Sequence, residues 1–139
     1  TIQSAALTPL VEPVHILLAE EATDGRDLFL RHKTTIRTAY DAAWRAAEQQ
    51  GAFDKVFCNA QGQVTEGGRS TLFVKLQGQW YTPPLSSGLL PGVMRSVVLD
   101  DPRWNAQERS LTLEDLRNAE QIFVCNALRG VVPAVIVWA

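Results

Sequence analysis

The stretch DLFLRHKTTIRTAYDAAW, residues 27–44, changes its period half-way. LFLRH reads as a short strand. From Thr34 to Gln50 the spacing predicts a helix: Ile36, Tyr40, Ala43, Trp44 and Ala47 recur at three- and four-residue intervals and line one face. Thr34 or Thr35 can cap its start and Gly51 can close its end. Lys33 sits at the joint, where a lysine is mildly unfavourable beside the positive helix end. A strand handing over to an amphipathic helix, with strands on both sides, is the decisive fold signal.

Working outward, VHILLAEE (14–21) is rich in branched apolar residues and reads as a strand, and ATDGRD is a turn. After the helix come a strand in DKVFCNA (54–60), a turn at QGQ, and a strand opening at VTE. STLFVKLQGQWYTPP (70–84) alternates around Gln77-Gly78, a hairpin signature. LLPGVMRSVVLD (89–100) places Gly92 before a short helical run, and TLEDLRNAE (112–120) has a threonine cap and early acids. QIFVCNA and VVPAVIVW are two final strands. The expected class is α+β (or α/β): a mixed, largely antiparallel sheet with about three helices.

The chain has 139 residues, 46% of them apolar, which suits one domain with a real core. A net charge of −2 argues against nucleic acid or an anionic membrane surface as the main partner. No run approaches the roughly 20 apolar residues of a membrane span, and Pro133 interrupts the longest candidate, VVPAVIVWA. There is no signal-peptide pattern and no internal repeat. TIQSAALTPLVEP (1–13) reads as an interdomain linker, which suggests a piece of something longer. Cys58 and Cys125 lie in apolar stretches without a CxxC or Cys/His cluster, so no metal site is expected. Two buried free thiols in a reducing cytoplasm are the expectation; a disulfide between them is the alternative.

Four places carry potential chemistry. Lys33 suits a Schiff-base lysine at a pocket mouth, though a surface lysine is commoner there. Glu66, at a strand end before Gly67 and Gly68, suits a carboxylate for a protonated ring nitrogen where the backbone bends closely around something; an ordinary loop glutamate is the plainer reading. Gly92 opens a helix whose free N–H groups at Val93 and Met94 make an anion site. Asn126, followed by Ala127, ends a strand and can add a phosphate hydrogen bond, although a turn-forming asparagine is the safer reading. No one of these convinces alone. A lysine for an aldehyde, an acid for a pyridine nitrogen and backbone amides for a phosphate are together what pyridoxal 5'-phosphate demands.

The segments FLRHKTTIR, VTEGGRSTLFV, LLPGVMRSVVL and CNALRGVVPA, in that order, resemble the fold-type IV pyridoxal phosphate enzymes. That family includes branched-chain and D-amino-acid aminotransferases and aminodeoxychorismate lyases. HKTT-R-Y-D, WYTPP and GLLPG are most similar to the aminodeoxychorismate lyase-like part of fused para-aminobenzoate synthases. The resemblance covers nearly all of the chain after the linker. It implies the larger, cofactor-binding domain of the D-amino-acid aminotransferase-like fold over 14–139, with the family's small N-terminal domain absent. It implies that Lys33 forms the Schiff base and that Glu66 partners the pyridine nitrogen. Gly92, Val93 and Met94 would hold the phosphate, with Asn126 and Ala127 on its other side, and Arg37 would face cofactor or substrate carboxylates. Ile36 and Thr71 stand where the family commonly has asparagine, which changes the local hydrogen bonding.

The implied activity is release of pyruvate from 4-amino-4-deoxychorismate to give 4-aminobenzoate, a folate precursor. Lys33 would move the proton and Glu66 would keep the ring an electron sink. One alternative is a branched-chain or D-amino-acid aminotransferase on the same scaffold. Another is a non-catalytic domain that binds a metabolite or a partner. The resemblance further implies a cytoplasmic homodimer acting on a small molecule, an aminodeoxychorismate or an amino acid, and fused to a chorismate-using synthase.

Overall fold

The computed structural model describes residues 11–20 and 33–138, with the side chains of 33–36 excepted. The strand expected at LFLRH and the turn at ATDGRD lie outside the described residues. So does the first part of the proposed linker.

β1 (Val14–Leu18) is central. It is parallel to β2 (Asp54–Cys58) on one side and to β8 (Gly130–Ile136) on the other. The eight-stranded sheet continues with β3 (Val64–Gly67), β4 (Thr71–Leu76), β5 (Gln79–Thr82), β6 (Gln107–Glu108) and β7 (Gln121–Asn126). Its order is β3-β2-β1-β8-β7-β4-β5-β6. Antiparallel pairs join β2 to β3, β4 to β5, β4 to β7 and β7 to β8; β5 and β6 are parallel. The architecture is the expected α+β mixed sheet.

The β4–β5 hairpin turns on Gln77 and Gly78, both at positive φ (49° and 80°). That pair of left-handed residues matches the right-handed twist of the flanking strands. Pro133 does not break its run. It lies within β8 opposite Phe123, one residue before the ladder to β1 begins at Val14 and Ala134. A missing N–H is tolerated where a strand is not yet paired on both sides.

α1 is described over Lys33–Gln49. Thr34 and Thr35 therefore lie inside it and do not cap it. Tyr40 and Ala47 are buried, and Ala43 and Trp44 half-buried, on the face the spacing indicated. Gly51 closes the helix at φ 80°. α2 (Val93–Asp100) is N-capped by Gly92, which supplies no side-chain hydrogen bond. α3 (Leu113–Asn118) begins in a full capping box: Thr112 accepts from the Asp115 N–H, and the Asp115 carboxylate accepts from the Thr112 N–H.

The main core joins Val14, Ile16, Val56, Val64, Leu72, Val74, Leu111, Leu116, Val124 and Val132. Each buried aliphatic side chain of this kind contributes roughly 1.5–3 kcal/mol. A second cluster sets Phe73, Val98 and Cys125 beside Trp80, Met94 and Trp104. Neither Cys58 nor Cys125 is in a disulfide; Cys125 is buried as expected, whereas Cys58 is only half-buried.

Candidate active site

The site is built on Asp54, the first residue of β2. Its carboxylate is fully buried and accepts four hydrogen bonds. Oδ1 takes the N–H groups of Lys55 (2.7 Å) and Gly68 (2.9 Å), and Oδ2 takes Arg69 N–H (3.0 Å) and Ser70 Oγ (2.7 Å). Burial raises its pKa and the donors oppose that rise. The β3–β4 turn is thus wound around a buried side chain. Gly67 and Gly68 do bend around something, and it is Asp54. A Cβ on Gly67 would sit 2.2 Å from Asp54 Oδ2, and one on Gly68 only 2.4 Å from the Tyr40 carbonyl oxygen. Neither glycine can carry a side chain without displacing the turn from β2 and α1.

This turn fixes Glu66, the third residue of β3, which is 7% exposed. Its Oε2 accepts from Leu90 N–H at 3.0 Å. Burial pushes its pKa up to about 7, against the Leu90 hydrogen bond, the nearby Tyr40 hydroxyl and, more weakly, the Arg95 charge. The Tyr40 hydroxyl is itself buried beside Glu66. Its pKa is pushed up, by burial first and then by the Glu66 charge, yet the two groups do not meet in a well-formed hydrogen bond.

A cleft of about 170 Å³ opens between α1, the β3–β4 turn, the start of α2 and the end of β7. Arg37, Tyr40, Glu66, Gly92, Val93, Met94, Cys125 and Asn126 all line it. Six of the residues singled out from the sequence therefore meet in one place. Arg37 is exposed at the mouth. Gly92, Val93 and Met94 form the uncapped N-terminus of α2, whose free amides favour an anion. Lys33 lies on α1, and its side chain lies outside the described residues, as does that of Ile36. Ala127 is exposed on the β7–β8 turn and does not line the cleft.

Asn126 is committed elsewhere. Its Nδ2 donates to the Arg69 carbonyl (3.1 Å), and its Oδ1 accepts from Arg129 N–H (2.8 Å). The side chain ties the β7–β8 turn to the β3–β4 turn, the turn-forming role that was the safer expectation. Thr71, at the asparagine-like position, is buried at the head of β4 and pairs with Cys125. Burial pushes the Cys125 thiol up to about 12, which makes it inert at neutral pH.

Sequence reasoning missed Asp54 and Arg95 as site-builders and read Tyr40 only as a helix-face residue. Arg95 is buried on α2. Its guanidinium donates to the Pro83 carbonyl (3.0 Å) and pairs with Glu108, which holds α2 against the sheet. An aspartate opening a strand and an arginine one turn into a short helix were the only local signals.

The chain matches the amino-transferase class IV family over residues 1–137. It belongs to that family. Class IV amino-transferases are enzymes that use pyridoxal phosphate and act on small molecules. The class IV chain is 35% identical over 83 residues to an aminodeoxychorismate lyase of Vibrio harveyi, covering 58% of this chain and 31% of that protein. It is 31% identical over 90 residues to a D-alanine aminotransferase of Bacillus licheniformis, covering 63% and 31% respectively. Among solved structures it resembles a branched-chain aminotransferase of Thermoproteus uzoniensis crystallised with norvaline. There the TM-score is 0.79 at 27% identity, over 91% of this chain and 44% of that one. The class IV chain therefore spans less than half the length of each of these relatives. Among the described residues no helix is long and apolar enough to cross a membrane, and no His/Cys/Asp/Glu cluster could hold a metal.

The cleft suits the family's cofactor on its own chemistry. Glu66 is a buried acid that would gain from a cationic partner, and the α2 N-terminus offers uncapped amides to an anion. The raised Glu66 pKa also sets a pH dependence. The folded state holds the Glu66 proton more tightly than the unfolded chain, whose value is 4.5. Stability should therefore be full below about pH 4.5 and fall as pH rises to about 7, by an order of 3 kcal/mol. Urea unfolding at pH 5, 6 and 7 should show this slope, and Glu66→Gln should flatten it. Parallel curves for the two proteins would contradict a buried, protonatable Glu66.

Proposed function

We propose that this class IV chain is the cofactor-bearing part, residues 14–139, of a pyridoxal phosphate-dependent 4-amino-4-deoxychorismate lyase, releasing pyruvate to give 4-aminobenzoate. The observation that carries the reading is the convergence of buried Glu66 and the uncapped start of α2 on one cleft, with Lys33 on the helix that walls it. The likeness to the Vibrio harveyi lyase supports this substrate class. In this reading residues 1–13 link to a smaller companion domain, and the whole is a cytoplasmic homodimer fused to a chorismate-using synthase.

Bound pyridoxal phosphate draws electrons away from the substrate carbon that bears nitrogen. The protein's own residues supply the rest. The Lys33 amine accepts the proton from that carbon. Glu66 stays ionised beside a protonated ring nitrogen and keeps it cationic. The amides of Val93 and Met94 bind phosphate at the start of α2, and Gly92 leaves the approach open: a Cβ there would make ordinary contacts with Thr71 Oγ1 at 3.5 Å and Arg95 Cβ at 3.9 Å. Arg37 offers a cation to a substrate carboxylate at the mouth. The likeness to the D-alanine and branched-chain aminotransferases favours a second reading, in which Lys33 returns the proton to the cofactor side and a keto acid leaves.

Borohydride reduction in the presence of pyridoxal phosphate, followed by peptide mass spectrometry, tests the site. One label per chain on Lys33 is expected. Label spread over Lys55 and Lys75 instead would sink the assignment.

A further inference from the structure

Tyr40 carries an unexplained group. The residue is 6% exposed, and its hydroxyl is buried beside Glu66 without a well-formed hydrogen bond. Buried tyrosines normally find a partner for the O–H. A phenylalanine would fill the same space and leave no donor unpaired.

The ring is not free to search for a partner. It stacks on Phe57 with centroids 5.2 Å apart and planes at 31°, and the Tyr40 carbonyl backs onto Gly68. The possible acceptors among the charged neighbours reduce to one. Asp54 acts on the hydroxyl more weakly than Glu66 does, and both its oxygens are already taken by four donors. Arg37 and Arg95 are donors only. Glu66 lines the same cleft as Tyr40, and Leu90 N–H is its one well-formed hydrogen bond among the described residues.

We propose that Tyr40 is the positioning residue for Glu66, its buried hydroxyl donating to the carboxylate once Glu66 ionises against a cationic ring nitrogen. The proposal rests on the cofactor reading for what Glu66 faces, but the Tyr40–Glu66 contact can be read without cofactor. An ionised carboxylate is a stronger acceptor than a protonated one, so the hydrogen bond forms as the proton leaves. Tyr40 then limits the directions in which Glu66 can point.

The chain has two tyrosines, Tyr40 and Tyr81, so ¹³C placed at Cζ gives two resonances, and Tyr81→Phe assigns them. Between pH 5.5 and 8.5 the Tyr40 signal of the cofactor-free protein should shift with a midpoint near that of Glu66. The shift should vanish in Glu66→Gln. A flat Tyr40 signal, or a shift that survives Glu66→Gln, overturns the proposal. A double-mutant cycle adds a second reading in pyridoxal phosphate binding, followed by absorbance. Tyr40→Phe should weaken binding about tenfold when Glu66 is present, the scale of a hydrogen bond to a charged group, and leave it unchanged in Glu66→Gln. An equal loss in both backgrounds would mark Tyr40 as packing only. If the unsubstituted protein binds no cofactor, the cofactor reading fails and the cofactor-free titration alone decides this one.

Discussion

Lys33→Ala is expected to abolish borohydride labelling and to slow turnover of the full-length parent by at least about 10³-fold. Two roles are lost together. The amine is the nucleophile toward the cofactor's aldehyde, and it is the base that moves the substrate proton, a step worth about 10²–10⁴-fold alone. Stability should change little, because lysine and alanine are both good helix formers. A small primary amine added to the variant should restore part of the activity, since it can carry the proton without the side chain. Turnover within tenfold of the unsubstituted enzyme would remove Lys33 from the mechanism. Loss of activity with no amine rescue and a lowered melting temperature would point to a fold defect instead.

Asp54→Ala is the substitution expected to cost most in stability, about 3–4 kcal/mol. It strips the acceptor from four donors at once, and three of them are backbone N–H groups with no freedom to turn away. Asp54→Asn should recover only part of this. The amide oxygen can still serve one pair of donors, but its NH₂ then faces the other pair. If that pair is Arg69 and Ser70, the Ser70 hydroxyl can rotate to accept and the Arg69 N–H cannot. Guanidinium chloride unfolding measures both variants. Because the turn also sets Glu66, cofactor affinity should fall in parallel with stability. A cost below about 1 kcal/mol for Asp54→Ala would mean that the turn's other hydrogen bonds, Gly67 N–H to Ser70 O, Gly68 N–H to Lys55 O, Arg69 Nε to Phe53 O and Asn126 Nδ2 to Arg69 O, suffice to hold it.

Legibility followed the range of the interaction. The β4–β5 hairpin was readable at Gln77-Gly78, and the α3 cap at Thr112 and Asp115, because each is settled within a few residues. The period of α1 marked its buried face. Its start was misjudged: threonines suit an N-cap, but the helix takes them inside. β6 went unseen because a two-residue strand has no period to detect and exists only through its pairing with β5. VVPAVIVW reads as a strand despite Pro133, and only the β8 neighbours show why a proline is tolerated there. Gly67 and Gly68 announced a close approach, but the objects approached, Asp54 on β2 for Gly67 and the Tyr40 carbonyl on α1 for Gly68, lie 13 and 28 residues earlier.

By itself the sequence determined the element types, most of the turns, the lysine-and-acid pattern that suits pyridoxal phosphate, and the uncapped start of α2. These depend on backbone propensity, side-chain period and residue chemistry, all of which are local. The tertiary structure decided that β1 runs parallel to both β2 and β8, and that Glu66 is buried deeply enough to titrate near neutrality. It also decided that Asn126 is spent on tying two turns together, and that the Tyr40 hydroxyl is shut in beside Glu66 without a well-formed hydrogen bond. Burial and hydrogen-bond saturation are sums over neighbours from distant parts of the chain, and they take a value only once the sheet has closed around them.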